Sequence, residues 1–436
     1  MSRRYIRDPL DLARLALLVG AFVTLAIGPR EQSVRLLLTF FLVLVPRALD
    51  APRPFDLAFI VAMSFQAWGN VFGAFDTVYG YDKVVHFLLP CATSALAYLA
   101  LVRLRVMPDF TAERRIHERA GIVLVTGTLG LTFGGGLYEL YEWFADHYLG
   151  AHLYVSYGDS IGDLTDDTLG ALAGGALILL WDAYGAGSRR RSPANDAVRA
   201  VGEKVIERAQ PDPAPERHQP SGPPALPQWL VRSWDGPLHD VLDLGRISFA
   251  VGAALALAGA RWELSLRFAL TLAILLAVRA MGVPRPFDLG FIVAMAIQAW
   301  GAYGHAFDTF GAYGAGVHLV VSLAAAPVLY VALIRLRLVP DLFERNRLHQ
   351  RAGIGIAGFC FGFSAGIFYE LYVFFANHVL DAGFVVDYDT FVGRLALDAL
   401  GALAGALLLV AWDAAGWGTR RLPARAFLTG HRAYGS

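Results

Sequence analysis

Lysine is nearly missing from this chain: of 37 basic residues in 436, only Lys83 and Lys204 are not arginine. Charge of either sign is scarce too. Charged residues make up 17% of the sequence, against about 25% in soluble domains, and 37 acidic residues balance the basic ones to a formal net charge of zero. The two cysteines, Cys91 and Cys360, both lie inside apolar blocks, which excludes a disulfide framework and marks them as packing residues. No His-Glu-x-x-His motif and no activated nucleophile are evident, and no nucleic-acid partner is expected. The N-terminal stretch is basic and then apolar, like a signal peptide. Pro29-Arg30-Glu31 follows without an Ala-x-Ala cleavage site, so the segment reads as a retained first span.

What fills the chain is apolar. Hydrophobic residues make up 56% of it, in long blocks rather than amphipathic stripes, which points to lipid as the solvent. The fold class expected is all-α: a polytopic transmembrane helical bundle. Pro52-Arg53-Pro54-Phe55-Asp56-Leu57 recurs 232 residues later as Pro284-Arg285-Pro286-Phe287-Asp288-Leu289. The same offset pairs Asp11 with Asp243, Arg14 with Arg246, Arg35 with Arg267, Gln66 with Gln298, His86 with His318 and Arg119 with Arg351. Beyond these it becomes 231, pairing Glu139 with Glu370 and Gly170 with Gly401, so the sequence reads as a tandem duplication.

Each copy holds about six apolar stretches suited to a hydrocarbon core about 30 Å thick. They fall near 10–28, 34–50, 55–74, 83–102, 120–145 and 163–181, then near 242–260, 265–281, 287–307, 315–334, 352–379 and 394–412. An even number per copy implies a parallel repeat. The domain plan is a first repeat over 1–185, a flexible cytoplasmic linker over 186–236 rich in proline and charge, and a second repeat over 237–436. Arginines cluster on one side, at Arg3, Arg4, Arg7, Arg47, Arg53, Arg103, Arg105 and Arg189 to Arg191. By the positive-inside tendency that side and both termini are cytoplasmic.

The opposite side carries acids and histidines: Asp76, Asp82, Lys83, His86, Asp146, His147, His152, Asp159, Asp163, Asp166 and Asp167. Asp82 and His86 are four apart, Glu139 and Glu142 three apart, and Asp163 and Asp167 four apart, so each pair shares a helix face. With span six opening at Asp163, all three pairs reach the outer boundary together. Taken singly, each is more simply an interfacial charge or helix cap, and Tyr138, Tyr141 and Trp143 an aromatic belt. Their convergence defines the candidate site: Asp82, Lys83, His86, Glu139, Glu142, Asp163 and Asp167. His86, Glu139, Asp163 and Asp167 are the candidate ligands of a divalent cation. The second copy keeps His318, Glu370 and Asp398 but has Gly314, Ala315, Val373, Arg394 and Leu397 where the first has Asp82, Lys83, Glu142, Asp163 and Asp166. It therefore reads as a degenerate scaffold or regulatory partner, with Arg394 placed to neutralise Glu370 or Asp398.

Asp82-Lys83-x-x-His86 opening a span, an acidic pair near the end of the next, and Asp163-x-x-x-Asp167-x-x-Gly170 in the last resemble the VanZ-like membrane proteins. They also resemble the related bacterial inner-membrane family typified by YjdF, through Tyr138-Glu139-Leu140-Tyr141-Glu142, Gly158-Asp159 and Gly162-Asp163. The likeness covers spans three to six of each copy and departs at Asp167, where the VanZ-like pattern has asparagine. It implies a bacterial cell-membrane protein, in some relatives linked to glycopeptide tolerance.

Three functions stay open. One is a protein binding or acting on an envelope substrate from the outer face, its carboxylates and histidine serving as general acid and base or as cation ligands, with Lys83 binding a phosphate or carboxylate. Another is a cation-coupled transporter. The last is a structural or assembly protein whose polar groups satisfy one another. The bilayer is the expected partner, joined in the first reading by a lipid-linked substrate.

Overall fold

The computed structural model describes residues 9–109, 116–151, 155–183, 238, 240–339, 341–342, 348–379 and 386–415. The whole of the proposed linker over 186–236, the His117 and His349 side chains, and His152 lie outside them. Every regular element among the described residues is helical, as the long apolar blocks require: in hydrocarbon only a helix or a closed barrel satisfies its own backbone. The chain divides into two compact units, Met1–Gln210 with Val386–Val392, and Pro211–Val385 with Gly393–Ser436.

The first unit contains α1 (Pro9–Ile27), α2 (Arg30–Ala48), α3 (Arg53–Val71), the short α4 (Ala74–Thr77), α5 (Tyr81–Arg103) and α6 (Ile116–Gly130). A π-helical stretch, Leu131–Gly136, leads into α7 (Leu137–Phe144), a second π turn over Ala145–Leu149, and α8 (Tyr157–Ala183). The second unit has α9 (Val241–Ala258), α10 (Trp262–Ala280), α11 (Arg285–Tyr303), α12 (Ala306–Thr309), α13 (Tyr313–Arg335), α14 (Leu348–Val379) and, from Gly393 onward, α15 (Tyr388–Ala414). Each apolar stretch read from the sequence is a helix.

Among the described residues, eight helices are long and apolar enough to cross a membrane. The exceptions among the long ones are α2, α3, α10 and α11, 19 residues each. They fall short on apolarity: α2 carries Arg30, Glu31, Arg35 and Arg47, and α3 carries Arg53 and Asp56 with Gln66 and Asn70.

The distribution of side chains is inverted relative to a soluble protein. Phe22, Leu25, Phe41, Leu169, Leu180 and Leu407 face outward, while Asp11, Arg14, Glu31, Arg35, Asp167 and Arg246 are buried. The buried charges at the start of α1 are paired. Arg14 reaches Asp11 at 3.1 Å, also bonds Asp56, and donates to the Val43 carbonyl at 2.9 Å, while Arg47 bonds Asp11. One guanidinium thus ties together α1, α2 and α3. In the second unit Arg246 repeats this with Asp243 at 3.1 Å and with Asp288, and Arg279 meets Asp243 at 2.8 Å.

Helix contacts elsewhere depend on small residues, as expected where lipid removes the hydrophobic drive between helices. Helix α5 packs along α8. At Gly170 and Gly174 the backbone of α8 lies against the Phe87 and Cys91 carbonyls of α5, leaving no space for a side chain.

Arg14→Leu removes the cation shared by the buried Asp11 and the part-buried Asp56, which costs about 3–5 kcal/mol. A large drop in the thermal midpoint of the detergent-solubilised protein is expected, whereas Leu12→Ala on the lipid-facing side should change stability by no more than about 0.5 kcal/mol.

Candidate functional site

Three helices carry the acidic pairs, and local sequence sets where each begins. Helix α5 starts after Gly80, whose φ of 74° suits glycine. His86 is therefore about 8 Å along it. Helix α8 starts at Tyr157, six residues earlier than expected from the sequence, because Ser156 caps it: its Oγ accepts from the Asp159 N–H at 3.2 Å. Asp163 and Asp167 consequently lie about 9 and 15 Å into the helix rather than at its mouth. Helix α7 continues the long fifth segment and carries Glu139 and Glu142.

His86 is at the centre and has no exposure. Its Nδ1 lies 3.2 Å from Asp167 Oδ1 and 3.9 Å from Glu139 Oε1. On the other edge of the ring, Nε2 is 3.6 Å from Asp82 Oδ1 and 3.9 Å from Asp163 Oδ2. Glu142 completes the group: its carboxylate lies within 4.8 Å of ligand atoms of both His86 and Glu139. Six of the seven residues singled out in the sequence are thus brought together. Lys83 stands apart, 65% exposed, with its Nζ 3.9 Å from Asp166.

Several polar atoms here are buried without a hydrogen-bond partner: His86 Nε2, Glu139 Oε1 and Asp167 Oδ2. Such atoms are costly, and two carboxylates 4 Å apart repel by about 4 kcal/mol at an effective dielectric of 20. The cluster has donor sets suited to a cation, Asp82–His86–Asp163 and His86–Glu139–Glu142. An imidazole with carboxylate oxygens suits manganese, iron or zinc, and helical bundles build metal centres from facing helices in this way.

An aromatic ladder that local spacing did not single out runs away from the histidine. The Tyr138 ring is 5.4 Å from His86, Tyr141 stacks on Tyr138 at 6.1 Å, and the Arg35 guanidinium lies 5.6 Å from the Tyr141 centroid. Gln66 Nε2 donates to the Tyr138 hydroxyl at 3.1 Å. Beside the start of α5 is an open apolar cleft of about 420 Å³ lined by Phe65, Trp68, Phe72 and Tyr81.

The second unit keeps a smaller version. His318 Nδ1 is 2.9 Å from Asp398, Nε2 is 3.4 Å from Glu370, and Ser322 Oγ donates to Asp398 at 2.6 Å. The ladder recurs, with Tyr369 5.1 Å from His318, Tyr372 6.1 Å from Tyr369, and Gln298 bonded to the Tyr369 hydroxyl. Arg394 makes no salt bridge within 4.0 Å to Glu370 or Asp398, although it is close enough to act electrostatically on Glu370. Its Nη2 lies instead 3.5 Å from where a Cβ on Gly314 would be, so the guanidinium fills the space over that glycine.

A family model described as predicted membrane protein (DUF2238) matches residues 11–184, the span holding the His86 cluster. No curated protein and no solved structure matches the chain.

Gly135 faces Asp167: a Cβ there would come within 2.8 Å of Oδ2 and 3.0 Å of Cβ. Gly135→Ala should push Asp167 off His86 and destabilise by about 1–3 kcal/mol. The check is a lowered thermal midpoint, with Gly158→Ala, where an added Cβ meets nothing within 4 Å, left near the wild-type value.

Proposed function

We propose that this chain is a bacterial cell-membrane protein of twelve spans, a tandem duplication of one six-helix unit with both termini cytoplasmic, related to the VanZ-like and YjdF-type proteins. Its first unit holds a divalent cation among His86, Asp82, Glu139, Glu142, Asp163 and Asp167, and with it binds or acts on a lipid-linked envelope substrate. The observation that carries this reading is a fully buried histidine with carboxylates at both ring nitrogens and Nε2 left without a hydrogen bond. A cation between such groups turns mutual repulsion into attraction and satisfies the open lone pairs. Helices α2 and α3 can span despite their charges because Arg14, Arg35 and Arg47 have acidic neighbours inside the bundle. The apolar cleft at Tyr81, one residue from Asp82, gives room for a lipid chain whose polar head reaches the cluster.

Within this reading the residues divide the work. His86 and the carboxylates not engaged by the cation accept or deliver a proton at the bound head group. The cation polarises an oxygen of that group or activates a water. Lys83, exposed on the rim beside Asp166, steers an anionic head toward the cluster.

A second reading, a cation-coupled carrier, is favoured by one observation: Asp167 has no exposure and lies about 15 Å into α8, closer to the midplane than its sequence suggested. Ion-dependent uptake into proteoliposomes that disappears in Glu139→Gln would select it.

The purified full-length protein is expected to bind Mn²⁺, read by loss of the free-ion electron paramagnetic resonance signal. His86→Ala and Asp167→Asn should weaken that binding by at least the roughly 10- to 100-fold that loss of an outer-shell partner costs. Wild-type protein that leaves the signal untouched would sink the cation reading and favour a purely structural cluster.

A further inference from the structure

Arg35 is the largest buried group that the His86 cluster does not use. It lies one turn into α2 and is 2% exposed. Its Nε is bound to Glu31, yet both Nη1 and Nη2 are buried with no hydrogen-bond partner. The guanidinium lies over the Tyr141 ring, and the Tyr141 hydroxyl is also buried without a hydrogen bond. Glu142, the next residue, is close enough to interact electrostatically with Arg35 and is itself a member of the cation donor set. Two guanidinium nitrogens and a phenol that interact with one another but make no full hydrogen bond thus lie beside the proposed cation position.

We propose that Arg35, with the Tyr141 hydroxyl, is the anion half of the site and binds a phosphoryl group whose other oxygens meet the cation at Glu142 and His86. The planar fork of a guanidinium matches two oxygens of a phosphate, and its terminal nitrogens are the atoms left open here. A divalent ion opposite an arginine is a recurrent clamp on phosphoryl oxygens. Glu31 already balances the charge of Arg35, so an anion beside so many carboxylates is held only when the cation is present. The binding is therefore cooperative. This inference rests on the cation reading above and assigns the head-group chemistry of its substrate.

The second unit supplies the contrast. Arg267 is paired with Glu263 at the same spacing, and Tyr369 and Tyr372 repeat the ladder. Val373 stands where the first unit has Glu142, and no buried nitrogen of Arg267 is left without a partner. The two open terminal nitrogens of Arg35 thus have no counterpart at Arg267.

The test uses full-length protein in maltoside micelles, which contain no phosphate. Inorganic phosphate is titrated in with and without Mn²⁺, followed by calorimetry and by the bound Mn²⁺ resonance, and a parallel arm adds phosphatidic acid to the micelles. Expected is phosphoryl binding that needs Mn²⁺ and falls about tenfold or more in Arg35→Gln, the loss of one charge-assisted contact, while Mn²⁺ affinity changes less than about threefold. A response to phosphatidic acid alone identifies a lipid head group as the source, and a response to inorganic phosphate identifies the free anion; either supports phosphoryl recognition. Should Arg35→Gln fold poorly with Glu31 unpaired, Glu31→Gln with Arg35→Gln, and separately Tyr141→Phe, carry the same expectation. Arg267→Gln should leave phosphate binding unchanged. Mn²⁺ bound normally with neither phosphate source detected, or Arg35→Gln binding phosphate like wild type, overturns this inference and leaves the cation reading standing. Phosphate bound at Arg35 without any Mn²⁺ binding overturns the cation reading and its cooperativity, and absence of both overturns the two together.

Discussion

A single buried imidazole holds the acidic ends of three helices in register. His86 takes Asp82 from its own helix, Glu139 from α7, and Asp163 and Asp167 from α8. Inside a bilayer there is no water to absorb those charges, so each carboxylate must answer to the histidine, to a cation, or to a proton. The close approach of α5 and α8 at Gly170 and Gly174 follows from the same demand, since Asp167 meets His86 only if the backbones nearly touch. Packing and chemistry are the same constraint here. The opposite end is held by a balanced pair network around Arg14, where two arginines and two aspartates leave no net charge to neutralise. The His86 end has five carboxylates and no such balance, which is why it, and not the Arg14 network, carries the functional reading.

Much of this was legible in the chain because helical spacing is local. Residues three or four apart share a face, so Asp82 with His86, Glu139 with Glu142, and Asp163 with Asp167 announced themselves, and the apolar blocks announced the helices. What lay beyond reach were partners set by tertiary packing. Arg14 and Asp56 are 42 residues apart, and Gln66 and Tyr138 are 72 apart. Arg47 reads as one more cytoplasmic arginine until its bond to Asp11 is seen. Lys83 illustrates the reverse error: adjacent in sequence to Asp82, it turns about 100° around the helix from it and ends on the rim. Arg35 was visible only as a matched position, because nothing in its neighbours tells that its terminal nitrogens are left open.

The two units share some contacts and differ in others. The Arg14-type network, the glutamine-anchored tyrosines, and the His–Asp contact occur in both. Asp82, Glu142 and Asp163 occur only in the first, and each touches the surroundings of His86. In the second, Gly314 and Arg394 stand where Asp82 and Asp163 stand in the first. The Arg394 guanidinium lies over the glycine, so a fixed positive group takes the place of two acids. His318, Glu370 and Asp398 still form a possible donor set, but without the additional acids of the first unit.

The change of offset from 232 to 231 has a physical location. Gly130 lies against Ser94 as Gly362 lies against Ala326, and these pairs keep the larger offset. Gly135 lies against Asp167 as Gly366 lies against Asp398, and these keep the smaller one. The extra residue of the first unit therefore falls between Gly130 and Gly135, inside the π-helical stretch Leu131–Gly136, while α14 runs through the same region as unbroken α-helix. One residue added to an α-helix would turn everything beyond it by about 100°. Glu139 would then face away from His86. A π turn absorbs one residue without that rotation, and both glutamates do face their histidines, Glu139 at 3.9 Å from Nδ1 of His86 and Glu370 at 3.4 Å from Nε2 of His318. The extra residue thus leaves the matching glutamate facing the histidine, with the π turn next to Asp167, in the unit that carries the additional acids. A local irregularity of this kind is tolerated at membrane depth only where it is buried in protein or lines a cavity, and here it borders the His86 cluster.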